Sequence, residues 1–232
     1  MVPVMMAISG DLIAHVRFIL SNALNNAISG NVARYGINAG ARFAFSAYIT
    51  AVASVEAFLN EELLGPVARM LFRDSSLWGI KCDKLEIQTK LIIVPQMLFG
   101  TTFDISAQPA QDFRLLVKVR NDLVHYKMQG SPPKYIADLS QRRIALTNDQ
   151  VSTMGVDYLW PQKLSSTEGI RWAHNTVCKV VHKLVEFIPE EYRGVLGVSA
   201  PNYQEIPRER IREWFDKQGG ATDITDITDR PI

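Results

Sequence analysis

Between residues 167 and 188 the apolar side chains Ile170, Ala173, Val177, Val181, Leu184 and Ile188 return every three or four positions. A helix gathers that period into one stripe, whereas a strand scatters it over both faces. Pro189 closes the run. The same period recurs upstream. Residues 4–28 carry it at Leu12, Val16, Ile19, Ala23 and Ala27, with Arg17, Asn22 and Asn26 off the stripe. Residues 41–72 carry it at Phe45, Ile49, Val52, Leu59 and Leu63, and Gly65-Pro66 should break or kink that helix. A third helix is expected from Asp83 through Ile87, Leu91 and Val94 to a stop at Phe99-Gly100, with Pro95 inside it. A fourth spans 109–127. The spacing predicts an all-α fold of four to five core helices.

From 128 to 165 the period is lost among Gly130, Pro132, Pro133, Gly155 and Pro161, with at most a short strand at 143–147. This stretch reads as a long irregular insertion or lid before the last core helix. Residues 1–218 are expected to form one domain, including a short helix over 208–218. Residues 219–232 follow Gly219-Gly220, repeat Thr-Asp-Ile and read as a disordered tail.

With 25 basic against 24 acidic side chains, net charge +1, any polyanion must be held by a local patch. Cys82 and Cys178 stand far apart and belong to no close-spaced Cys/His cluster, which suits a reducing, cytoplasmic setting. The opening residues lack the order of a signal peptide. The two longest uncharged stretches, 43–55 and 91–103, fall short of the roughly 20 residues of a spanning helix and read as core, so no membrane partner is expected. There is no Gly-rich phosphate loop before a helix and no Gly-x-Ser-x-Gly elbow.

Two charges fall where core residues belong. On the 109–127 helix, Phe113, Leu116, Val117 and Val124 define the apolar stripe, and Arg120 lies in its middle. On the 41–72 helix, Glu56 lies between Val52 and Leu59, seven residues past Ile49. Each needs a partner away from water, and the economical expectation is that Glu56 and Arg120 face each other. Asn121 and His125, four residues apart, share an edge beside Arg120.

The segment Arg120-Asn121-Asp122-Leu123-Val124-His125 resembles the Arg-x(4 to 6)-His signature of HEPN domains, including the polar residue after the Arg. SVEAFLNEELL, residues 54–64, is similar to the long second helix of that family, whose inner acidic or polar residue contacts the motif arginine; Glu56 is the matching position. The resemblance covers roughly residues 10–188. It implies an all-α, up-and-down helical bundle that forms a homodimer, in which the motif helices meet at one composite site that cleaves RNA by attack of the 2'-hydroxyl, without a metal or other cofactor. Arg120, Asn121 and His125 would be catalytic there, and Glu56 and Asp122 supporting. It also implies a toxin or phage-defence component with an antitoxin or other protein partner. The alternative is a catalytically silent HEPN-like bundle that binds a protein or a nucleotide.

From Arg114 to Arg143 seven basic residues stand against two acidic ones, a local excess of +5. Tyr126, Lys127, Lys134, Arg142 and Arg143 are the expected RNA contacts in this stretch, with Tyr135 also available for stacking. His174, Cys178 and His182 recur every four residues on one helix, but the outer two lie about 12 Å apart along its axis, too far for one ion. A structural role is expected for them, as for Trp78, Trp160, Trp172 and Trp214.

Overall fold

The computed structural model describes residues 8–28, 37–67, 85–126, 131–149, 160–191, 193 and 203–209. They form an all-α fold, with no strand among the described residues. Helix α1 is Ile8–Ile28 and α2 is Ile37–Phe58, which runs on without interruption into a π-helical stretch, Leu59–Val67. Then come α3, Ile87–Phe99, and α4, Ala110–Val124. A short α5, Tyr135–Gln141, and a 3-10 turn, Trp160–Leu164, precede α6, Thr167–Phe187.

Helix α2 is central and packs against α1, α4 and α6. Its buried positions, Ala44, Ala47, Tyr48, Ala51, Val52, Val55 and Phe58, define a stripe different in phase from the expected one. Ile49, expected inside, is 42% exposed; residues 43–55 around it carry no charge that would mark a polar face in the sequence. Helix α6 keeps the expected stripe, buries nearly all of its first half, and is capped by Ser166, whose Oγ accepts from the Gly169 N–H at 2.9 Å. Gly169 faces the Tyr48 hydroxyl so closely that a Cβ would lie 2.2 Å from it. That hydroxyl donates to the Leu164 carbonyl at 3.1 Å, tying α2 to the turn before α6.

The 143–147 stretch is not a strand. Ile144, Ala145 and Leu146 are all buried, so the chain does not alternate, and the Ile144 and Ala145 amides close the end of α5 on the Leu139 carbonyl. Helix α5 itself falls within the expected irregular insertion; seven residues are too few for a visible period. At Gly100 the left-handed φ of 69° ends α3 where the sequence indicates. Residues 1–7, most of the expected 208–218 helix and the 219–232 tail lie outside the described residues. One described helix, Phe43–Gly65, is long and apolar enough by composition to cross a membrane, and half of that stretch is buried in the bundle.

Residues 203–209 form a strap over α1, α2 and α6. Tyr203 is buried edge-on against Phe58 at 5.8 Å. Asn175 holds the strap as a strand neighbour would: its Nδ2 donates to the Ile206 carbonyl at 2.9 Å and its Oδ1 accepts from the Ile206 N–H at 2.8 Å. His174 beside it is fully buried, accepts at Nε2 from Arg17 Nε at 3.0 Å and lies 3.1 Å from Asn175 Oδ1 through Nδ1. Cys178, also buried, lies 3.7 Å from the same ring, so both residues act in packing; His182 is exposed.

Burial pushes the His174 imidazole down to about 4 from 6.5, and the neighbouring Arg17 adds to that against the Asn175 hydrogen bond. Below pH 6.5 the unfolded chain takes a proton that the folded chain refuses, so stability is lost as the pH falls from about 6.5 towards 4. The melting temperature of the wild type should fall more steeply across that window than that of His174→Gln, whose amide can still accept from Arg17. Parallel pH profiles for the two proteins would contradict the assignment.

Candidate functional site

The last two turns of α4 carry the motif residues, and the structure distributes them around the helix. Arg120 and His125 are about 140° apart on an ideal helix, whereas Asn121 and His125 are about 40° apart. Arg120 is half-buried beside the stripe of Phe113, Leu116 and Val117, and its Nε is shielded from water with no hydrogen-bond partner. His125 is exposed at the C-terminal cap, its backbone N–H donating to the Asn121 carbonyl at 2.9 Å. Asn121 is exposed too. Val124, expected on the inner stripe, is 53% exposed, and Val119 is buried instead.

The expected Glu56–Arg120 pair does not form. Glu56 is paired with Lys90 of α3, whose Nζ lies 3.3 Å from Glu56 Oε1 and donates to Asn60 Oδ1 at 3.1 Å. Lys90 is completely buried, and Glu56, at the edge of α2, keeps 41% of its side chain exposed. Glu56 and Asn60 are four residues apart and present two acceptors on one face to a cation that cannot reach water. The signal for Lys90 stands in the sequence: it is three residues after Ile87 and four before Val94, inside the apolar stripe of its own helix.

Arg120 is a half-buried cation without a counterion. Among the described residues it has no ion pair, whereas the acids of α4 are engaged elsewhere. Asp112 pairs with Arg142 at 2.8 Å. Asp122 accepts from the Tyr135 hydroxyl at 2.8 Å, and burial followed by this contact holds the phenol well above its usual range. Asp122 therefore anchors α5 to α4 beside the motif, while the Lys118 ammonium lies 5.3 Å from the centre of the Tyr135 ring.

The expected RNA contacts divide in the same way. Arg142 is held by Asp112 and Asp138 and lies 6.0 Å from the Trp172 ring centre. Tyr126 is half-buried edge-on against Trp160 at 5.7 Å, so its ring is used in packing. Lys134 and Arg143 are exposed, Arg143 with a left-handed φ of 58°. Lys127 lies outside the described residues, as do Cys82, Trp78 and Trp214. Trp160 and Trp172 are both buried. Among the described residues no three His, Cys, Asp or Glu side chains converge as metal ligands.

Comparison with protein-family models, with curated proteins and with solved structures finds no match to this chain.

Removal of the Glu56 carboxylate leaves the buried Lys90 with one neutral acceptor. Glu56→Ala should lower unfolding stability by about 2 kcal/mol, less than for a fully enclosed pair because Glu56 is partly solvated. Lys90→Met, which removes the buried charge itself, should cost less than Glu56→Ala. Urea denaturation of the two variants checks the order, and the reverse order would remove Lys90 as the cation that depends on Glu56.

Proposed function

We propose that the chain is a HEPN-like, metal-independent endoribonuclease in which α4 helices from two protomers build one composite site. The observation that carries this reading is the unpaired Arg120. A guanidinium with Nε shut off from water and no carboxylate at hand is stabilised by an anion brought from outside the chain, and a phosphate fits its planar fork. An exposed imidazole five residues further on supplies the second group that phosphodiester cleavage needs.

In that chemistry the ribose 2'-oxygen attacks the adjacent phosphorus and the bond to the 5'-oxygen breaks. One imidazole takes the 2'-hydroxyl proton and another gives a proton to the departing 5'-oxygen. The products are a 2',3'-cyclic phosphate and a 5'-hydroxyl. Arg120 stabilises the charge that gathers on the phosphorane oxygens, a contribution made mainly in the transition state. One chain offers a single motif histidine, pointing about 140° away from its own Arg120. A homodimer supplies the second imidazole and brings the groups together, with Asn121 orienting His125 or the phosphate.

This reading carries with it a cytoplasmic toxin or phage-defence role, in which an antitoxin or other protein covers the site. The divergence of Arg120 and His125 within one chain favours, as a second reading, a silent HEPN-like bundle that binds a nucleotide or protein through Arg120 alone.

Incubation of mixed-sequence single-stranded RNA with purified protein in EDTA distinguishes the two. Wild type should release cyclic-phosphate ends, and Arg120→Ala and His125→Ala should each slow cleavage by about 10²- to 10⁴-fold. Undiminished cleavage by His125→Ala would end the catalytic assignment.

A further inference from the structure

Helices α3 and α4 diverge to leave a groove whose two ends differ in chemistry. One end, about 220 Å³, is lined by Leu91, Ile92, Phe103, Ile105 and Ala110, with Glu86 at its rim. Leu91 and Phe103 are buried in its floor, while Ile92 and Ile105 are 37% and 46% exposed on its walls. The other end, about 380 Å³, is open and polar, lined by Gln88, Gln111, Arg114, Leu115, Lys118 and Asn121. Gln88 and Arg114 line both ends, so the two adjoin. The polar end falls within the roughly 300–1,000 Å³ usual for a small-ligand site, and the apolar end is smaller.

No acid among the described residues lines the polar end. Both acids of α4 are occupied elsewhere, Asp112 by Arg142 and Asp122 by Tyr135. Arg114 and Lys118 are exposed, and neither has an ion pair among the described residues. Four residues apart, they rise about 6 Å along the helix, close to the interval between neighbouring phosphates on an extended strand. Asn121 and His125 continue the same face towards the motif, at the three- and four-residue spacings that keep side chains in line.

We propose that this groove seats a single-stranded RNA segment, with one base between Ile92 and Ile105 over Phe103 and the following phosphates on Arg114 and Lys118. The inference deepens the nuclease reading and rests on it for the identity of the polyanion. It assigns the approach of the strand to residues outside the motif. The apolar end recognises a flat base with little regard for sequence, and the two cations hold the backbone in register as it runs towards Asn121 and His125. Exposed cations on a helix surface tolerate substitution, so their loss should act on binding without unfolding the chain.

The test uses an uncleavable probe, a fluorescein-labelled 2'-O-methyl single-stranded oligonucleotide, titrated with full-length protein by anisotropy at several salt concentrations. Arg114→Glu with Lys118→Glu should weaken binding about tenfold or more and flatten the salt slope by about 1.4, the value for two phosphate contacts on a single strand. Ile105→Asn should weaken binding about threefold or more with the slope unchanged. The charge-matched control, Lys179→Glu with Lys183→Glu on α6, should bind like the wild type. Equal losses in the two double variants, or no loss in the first, would overturn the groove, as would a wild type that does not bind the probe. Because the probe cannot be cleaved, failure of the catalytic assignment leaves this result standing. Cleavage by wild type that is indifferent to Arg114→Glu with Lys118→Glu would leave the nuclease and remove the groove.

Discussion

The buried ammonium of Lys90 decides how the charges of this bundle are allocated. Taken out of water on the inner face of α3, it needs acceptors, and Glu56 and Asn60 at the end of α2 supply them at 3.3 and 3.1 Å. This contact fixes α3 against the π-helical continuation of α2 and engages Glu56. Arg120 on α4 sits half-buried with no counterion among the described residues.

The rest of the fold makes α4 a firm platform. Its inner residues Phe113, Leu116 and Val117 pack into the core formed with α2 and α6, and its acids are fastened by Arg142 and Tyr135. Outward on α4 stand Gln111, Arg114, Lys118 and Asn121, followed by the imidazole of His125, with Val124 as the apolar exception. Between α1 and α6, the contacts of Arg17, His174 and Asn175 hold the 203–209 strap, so polar chemistry there is used in structure.

How much of this is legible in the sequence depends on whether a helix carries a polar face. Residues 167–187 do, and both the extent of α6 and its stripe follow from the periodicity. The stop at Gly100 is equally clear, because the left-handed backbone there favours glycine. Helix α2 is the reverse case. Residues 43–55 contain no charge, so the sequence does not mark which face of the wheel is inner, and the structure turns Ile49 outward. With that rotation Glu56 stands at the edge of the helix, paired with Lys90 and not with Arg120. The exposure of Asn121 and His125 follows from their shared edge on α4, but the joining of α3 and α4 into one groove is a tertiary fact with no signature in spacing.

If Arg120 is kept for an external anion, the fold should not need it. Thermal denaturation of Arg120→Met against wild type, without nucleic acid, tests this most directly. The account predicts a melting temperature equal to or above that of the wild type, since an uncompensated charge is replaced by an apolar chain of similar reach. A fall of about 6 °C or more, corresponding to roughly 2 kcal/mol in a chain of this size, would contradict it and make Arg120 a structural residue.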